Sequence, residues 1–159
     1  MPPSSPEPNA ADAFTELVLE VFRLNGRLLL AGDRLSAPVG LTSARWQILG
    51  ALADGPATVA QIARSMGLTR QSVQRLADVL SGEGITAFIP NPHHKRSSLV
   101  TLTAKGQDML DRVTALQREW AEQTSAGLSG RMLADAADLL KILRQRLEIA
   151  SGDDAPNER

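Results

Sequence analysis

The spacing of three residues in the middle of the chain most constrains its fold. Ala63 is followed four positions later by Gly67 and six positions after that by Val73. In a helix-turn-helix, a small residue is needed where the helices pack closest, a glycine permits the left-handed turn, and an apolar residue anchors the second helix. The spacing therefore predicts a helix-turn-helix.

Helix-start and helix-stop residues surround this spacing. Thr58 and Gln61 fit a capping box, which predicts the start of the first helix. Thr69 is well placed to cap a second helix over residues 70–80, and the sequence Ser-Gly-Glu-Gly at 81–84 ends it. Two consecutive capped helices make the motif more specific than the spacing alone.

After the second helix the apolar residues change from helical spacing to rough alternation, which predicts a β-hairpin. Residues 85–89 and 99–102 are rich in β-branched and apolar side chains that roughly alternate with others. The polar stretch between them is too long for a tight turn, so the hairpin should protrude as a wing. The predicted fold class is mainly α with a small β-hairpin wing, a winged helix-turn-helix.

Longer helices are predicted on both sides of this part of the chain. Apolar residues recur at three- and four-residue steps over about 10–31, from Thr42 to a break at 54–56, after Thr103, and over about 129–150. A small domain cannot easily cover three long apolar stripes by itself, although part of each must pack against its own core. The terminal helices are therefore expected to form a homodimer.

These patterns predict one domain over 10–150. Its expected parts are dimerisation helices within 10–35 and 105–150, a winged-helix part over 41–103, and disordered polar tails at 1–9 and 151–159.

The outer face of the second helix carries side chains that suit DNA. Arginine pairs with guanine O6 and N7 and glutamine with adenine N6 and N7, each good pair giving about 1–3 kcal/mol of discrimination. Hydroxyls and helix N-terminal amides suit phosphate oxygens. The predicted contacts are Thr69, Arg70, Gln71, Ser72, Gln74 and Arg75. The alternative is a solvated helix face.

The tip of the predicted hairpin is basic. Basic arms of this kind enter the minor groove, whose negative potential attracts arginine. The predicted contacts are His94, Lys95 and Arg96. An ordinary charged loop is the alternative, which competes more strongly for His93 and Lys95 than for Arg96.

The distribution of charge supports a nucleic-acid partner although the net charge does not. The whole chain carries −1, which by itself argues against DNA. Residues 58–105, however, hold six basic and two acidic residues, a net +4, so the remainder carries −5. Basic charge is therefore concentrated on the predicted winged-helix part.

Composition argues against several other classes of protein. With no cysteine, the chain has no disulfide, no cysteine-ligated metal and no thiol redox switch. The two histidines are adjacent on a predicted loop, and there is no glycine-rich phosphate loop or evident carboxylate pair. We expect no enzyme activity, metal or cofactor.

No apolar run approaches the ~20 residues that span a bilayer and no targeting signal is evident, so a cytoplasmic location away from membranes is expected.

Over about residues 10–150 the sequence resembles the MarR family of bacterial winged-helix transcription factors. The most specific parts are Leu41-Thr42 with Trp46, the run from Val59 to Ala63, Gly67 to Val73, and the wing from Lys95-Arg96 to Gly106. The resemblance implies an obligate dimer on a pseudo-palindromic operator, with the recognition helix in the major groove and Arg96 in the minor groove. It also implies, in many members, a repressor released by a small phenolic or carboxylate effector.

The wing departs from the family pattern at two positions. An acidic residue usually stands two positions before the wing arginine, where this chain has His94, and Asn91 stands where aspartate is often found. The hypothesis that follows is a less firmly oriented Arg96, or a DNA contact that depends on pH through His94.

Two further expectations concern partners. Phe14, Phe22, Arg23 and Trp46 are candidates to line a pocket for a small aromatic effector, although large aromatic residues such as these three are more often part of the core. The alternative function is a winged-helix module that binds another protein without specific DNA binding, and it predicts affinity that does not depend steeply on salt.

Overall fold

The computed structural model describes residues 9–150, and the chain divides into two compact units, one up to Arg118 and one from Glu119. The helices are α1 (Ala10–Ser36), α2 (Ser43–Ala51), α3 (Val59–Met66), α4 (Arg70–Gly82), α5 (Ala104–Ser125) and α6 (Gly130–Ala150). The strands are β1 (Ala57–Thr58), β2 (Thr86–Ile89) and β3 (Leu99–Leu102). This mainly helical fold with a small antiparallel sheet confirms the predicted fold class.

Local capping sets the starts of the helices that build the helix-turn-helix. The Thr58 hydroxyl accepts a bond from Gln61 N at 3.2 Å while Gln61 Oε1 accepts from Thr58 N at 2.8 Å, so the capping box before α3 is confirmed. Thr69 Oγ1 accepts from Ser72 N at 3.1 Å and caps α4. Gly67 ends α3 with φ of 64°, the left-handed conformation expected of it.

The sheet has three strands in the order β1-β3-β2, all antiparallel. Phe88 of β2 and Ala57 of β1 both face Val100 of the central strand β3. The predicted hairpin is confirmed, whereas β1 was not predicted. A two-residue strand is too short to show alternation, and its partner lies about 40 residues away along the chain.

The core of the first unit is formed by apolar side chains from α2 to α5 and the sheet. Its buried members are Val39, Leu41, Ile48, Leu49, Leu52, Ile62, Ala63, Val73, Ala77, Leu80, Ile85, Val100, Met109, Leu110 and Val113. At its edge, Gly106 of α5 approaches the start of the wing so closely that a Cβ there would lie 2.1 Å from Ile85 O. The same carbonyl accepts bonds from Thr103 N at 3.1 Å and Thr103 Oγ1 at 3.0 Å.

Helix α1 runs five residues further than the predicted end at 31. Gly32 lets α1 approach α2 closely, since a Cβ at Gly32 would lie 2.7 Å from Ser43 Oγ. Asp33 Oδ1 also accepts a bond from Ser43 N at 2.7 Å. The helix is followed by a 3-10 turn over Ala37–Val39, which contains Pro38 and lies within the break that the sequence predicts at 36–40.

Helices α1 and α6 expose much of their apolar side-chain surface in the single chain. No residue of α6 is buried, and Met132 is 66% exposed. On α1, Phe22 is 69% exposed. The large apolar side chains that are exposed on α1 and beyond residue 127 are Phe14, Leu19, Val21, Phe22, Leu24, Leu28, Leu29, Leu30, Leu128, Met132, Leu133, Leu139, Leu140, Ile142, Leu147 and Ile149.

The predicted disordered tails, 1–9 and 151–159, lie outside the described residues with one exception. Asn9 is described, and its Oδ1 accepts a bond from Ala11 N at 3.1 Å at the start of α1. Within residues 9–150, none of the helices is long and apolar enough to cross a membrane.

Candidate nucleic-acid interface

An open cleft of about 670 Å³ brings the helix-turn-helix and the wing together on one surface. It lies between the first turn of α3, the outer face of α4, strand β2 and the wing. Its lining residues are Val59, Ala60, Arg70, Gln71, Gln74, Asp78, Phe88, Arg96, Ser97 and Ser98. The sequence predicted the two groups of DNA contacts separately, and the fold places members of both in this single concavity, which we call the reading cleft.

The reading cleft receives its polar side chains because the opposite face of α4 is in the core. Val73, Ala77 and Leu80 are fully buried. Helix geometry then directs residues one turn apart, Arg70 and Gln74, to the solvent side. The pattern that stabilises α4 is therefore also the pattern that displays its reading face.

The remaining α4 residues from the sequence analysis take different places. Arg75 is exposed but does not line the reading cleft. Thr69 Oγ1 is engaged as the cap of α4, and Ser72, which supplies the capped N–H, is half-buried. Both hydroxyl residues lie at the N-terminal end of α4, where free N–H groups favour anions.

The wing places Arg96, Ser97 and Ser98 along the cleft, whereas His94 and Lys95 are exposed outside its lining. Two bonds shape the tip of the wing: Asn91 Oδ1 accepts from His93 N at 3.0 Å, and Ser97 N donates to His94 O at 3.1 Å. Asn91 thus holds the turn through its side chain. Arg96 is the wing cation that shares a surface with the reading face of α4.

Six of the ten lining residues were not predicted from the sequence: Val59, Ala60, Asp78, Phe88, Ser97 and Ser98. Asp78 lies one turn after Gln74, and its Oδ1 accepts a bond from Gln74 Nε2 at 2.8 Å. The i to i+4 spacing of Gln and Asp was the signal that could have found this pair. Phe88, 37% exposed on β2, had no distinguishing signal, because an aromatic residue in a strand is usually assigned to the core.

The acidic residues of this region have different electrostatic roles. Glu83 is bound by both Arg45 Nη atoms at 2.9 and 2.8 Å, so its charge is neutralised where α4 ends. Lys105 Nζ also donates to Glu83 O at 2.9 Å. Asp78 is the acidic side chain that lines the reading cleft, beside Arg70 and Arg96.

The candidate effector residues do not share one described cavity. Arg23 pairs with Glu20 and lines an open groove of about 540 Å³ on α1, together with Leu24 and Arg27. Trp46 packs against the core, and Phe14 and Phe22 are exposed on α1 without lining that groove. An effector site built from these residues stays a prediction.

Comparison with known proteins gives concordant matches. The profile of the MarR family matches residues 39–97. The uncharacterized protein Rv2011c of Mycobacterium tuberculosis is 41% identical over 104 residues, covering 65% of this chain and 73% of that protein. The transcriptional activatory protein BadR of Rhodopseudomonas palustris is 34% identical over 108 residues, covering 62% of this chain and 61% of BadR.

A solved structure shows the same fold. A mutant MarR from E. coli, in complex with operator DNA, superposes with a TM-score of 0.71 over 86% of this chain and 99% of that one, at 20% identity. The helix-turn-helix, the three-stranded sheet and the reading cleft define a winged-helix DNA-binding transcriptional regulator. The profile match and the relatives place it further: the chain belongs to the MarR family.

Proposed function

We propose that this regulator is a homodimeric repressor that reads a pseudo-palindromic operator. The observation that carries the proposal is the reading cleft, where Arg70, Gln71 and Gln74 share one concave surface with Arg96. Arginine and glutamine are the side chains that pair with purine edges in the major groove, and an arginine on a wing suits the minor groove. Thr69, Ser72, Arg75, His94 and Lys95 would supply contacts to phosphates or flanking bases.

Dimerisation is supported by the exposed apolar surface of α1 and α6. Exposed apolar patches of this extent mark interaction sites in soluble proteins. The dimerisation helices would lie within 10–35 and 105–150, and the winged-helix part within 41–103. A symmetric dimer presents two recognition helices about 34–36 Å apart, to successive turns of the major groove. Such a complex over a promoter, in the cytoplasm, would block the polymerase.

A small phenolic or carboxylate effector is the proposed signal that releases the DNA. Glu20, Arg23, Leu24 and Arg27 line the groove on α1, and because Glu20 pairs with Arg23, Arg27 beside Leu24 is the cation proposed to bind an aromatic carboxylate. Phe14, Phe22 and Trp46, which lie outside the lining of this groove, are the proposed aromatic contacts. The effector would act through its differential affinity for two arrangements of the winged-helix parts.

The test is a gel shift with the DNA that flanks the protein's own gene. A reader of DNA must lose affinity steeply with salt, with a log–log slope of about −0.9 for each phosphate neutralised. Arg70→Ala should weaken binding by about 1–3 kcal/mol and relax specificity at one base position if it contacts a base. Arg118→Ala, an exposed arginine on α5, is the matched control and should leave affinity unchanged.

Other outcomes would overturn parts of the proposal. Affinity that is independent of salt would favour a protein-binding module instead. A promoter reporter tests the sign of regulation, because one relative is named as an activatory protein. Higher expression in a deletion strain supports repression, and lower expression refutes it. Candidate phenolic acids that leave the gel shift unchanged would refute the proposed effector class.

A further inference from the structure

We propose that Asp78 fixes the amide of Gln74 in one orientation, so that its carbonyl and its remaining N–H face the DNA in the order that selects adenine. This inference rests on the proposed function and names one determinant of its specificity. Both side chains line the reading cleft, and Gln74 Nε2 donates to Asp78 Oδ1 at 2.8 Å. Asp78 acts through Gln74 and is therefore a positioning residue.

The chemistry of the pair determines which way the amide faces. A carboxylate can only accept hydrogen bonds, so the end of the Gln74 amide that faces Asp78 must be its NH₂ group. A bond to an ionised partner is shorter and stronger than a neutral one, so it holds this orientation. The amide is planar, and its carbonyl oxygen is therefore directed away from Asp78.

The position of Asp78 along the helix then gives the direction of the carbonyl. Asp78 is one turn closer to the C-terminal end of α4 than Gln74. The Gln74 carbonyl consequently faces the N-terminal end, where Arg70 stands and where a recognition helix contacts base edges. The NH₂ group has two hydrogens and Asp78 accepts only one, so the second N–H stays free beside the carbonyl, and Gln74 presents the donor and acceptor pair that suits adenine in one fixed orientation.

A fixed pair of one acceptor and one donor distinguishes bases in the major groove. Adenine offers N6–H as a donor beside N7 as an acceptor, whereas guanine O6 and N7 are both acceptors. Gln74 should therefore prefer adenine at one position of each half-site. The preference should be about ten-fold, in the range of one good base contact.

A simple helix-stabilising role is the alternative explanation, and the chain contains its own control. On α5, Gln107 Nε2 donates to Asp111 Oδ1 at 2.8 Å with the same i to i+4 spacing, outside the reading cleft. Removing either aspartate should affect helix stability similarly. Only removal of Asp78 should change the choice of base.

The experiment selects bound sequences from randomised operators for the full-length wild type and for Asp78→Ala, Asp78→Lys and Asp111→Ala. Thermal unfolding checks that each variant is folded. Asp78→Ala should reduce the preference for adenine at one position per half-site to about two-fold or less. Asp78→Lys should remove the preference for adenine, because the introduced ammonium can only donate and must turn the Gln74 carbonyl toward itself and away from the DNA.

Each result decides the matter. If Asp78→Ala and Asp78→Lys keep the wild-type base preference at every position, the positioning role is wrong while the proposed function stands. If Asp111→Ala changes base preference as Asp78→Ala does, the effect belongs to helix stability and the inference is also wrong. If the wild type selects no sequence at all, the proposed function fails first and the inference fails with it.

Discussion

Replacing Gly106 by alanine should destabilise the protein strongly, although alanine is the better helix former. A Cβ at position 106 would lie 2.1 Å from Ile85 O and 3.3 Å from Leu102 Cδ2. The backbone carbonyl cannot rotate away as a side chain could, so α5 and the start of β2 must separate by about 1 Å to reach an ordinary carbon–oxygen contact.

The magnitude follows from what that separation disrupts. Ile85 O accepts a hydrogen bond from Thr103 N, worth about 0.5–1.5 kcal/mol, and it shares the hydrogen of the Thr103 hydroxyl with Gly84 O, which lies closer at 2.7 Å. Strain from overpacking lowers the free energy of unfolding further, by about 1–3 kcal/mol. The intrinsic preference of a helix for alanine over glycine raises it by up to about 1 kcal/mol. The expected net loss is about 3 kcal/mol, a large part of the ~5–15 kcal/mol that stabilises a typical domain.

Urea unfolding followed by circular dichroism, at one fixed protein concentration, measures this loss. The midpoint should fall with an unchanged slope, because the same surface is exposed on unfolding. Gly50→Ala is the matched control, since a Cβ there meets no atom within 4 Å, and it should leave stability unchanged or raise it by up to about 1 kcal/mol. A midpoint for Gly106→Ala at or above that of the wild type would refute the close approach.

Three further predictions concern the wing and its base. Thr86→Val should stabilise the protein by about 1 kcal/mol in the same urea assay, because the Thr86 hydroxyl is buried without a hydrogen-bond partner among the described residues; a loss of stability would indicate that the hydroxyl is satisfied. Arg96→Ala should weaken operator binding by about 1–3 kcal/mol in a gel shift, and Lys95→Ala by less, since only Arg96 of the two lines the reading cleft; equal losses would contradict this difference. His94→Gln should flatten the pH dependence of operator affinity between about pH 5.5 and 8, and an unchanged profile would show that His94 does not make the wing sensitive to pH.

Features set by neighbouring residues could be predicted from the sequence. The capping box at Thr58, the left-handed turn at Gly67 and the reading face of α4 each depend on residues a few positions apart, so their patterns are visible in the chain. The alternation of β2 and β3 is equally local. These features were enough to predict a winged helix-turn-helix, and they also gave the residues that are proposed to face DNA.

Features that join distant segments could not be predicted in this way. The ion pair between Arg45 and Glu83 spans 38 positions, and nothing near either residue indicates its partner. The close approach of Gly106 to Ile85 could not be predicted either, because a glycine at the start of a helix has many explanations and does not indicate which distant residue it contacts. The Gln74–Asp78 pair is local, but its meaning depends on the cleft that the fold forms around it.

The double role of Thr58 has a consequence for protein engineering. Thr58 of β1 is paired with Leu99 of the hairpin and also caps α3, so the sheet and the helix-turn-helix share a residue. A specificity transplant that exchanged only residues 85–103 with a relative would set a foreign β3 against the native β1. The smallest exchangeable cassette is therefore 57–103, and chimeras cut inside it should lose affinity through misplaced wings even when every base-contacting side chain is retained.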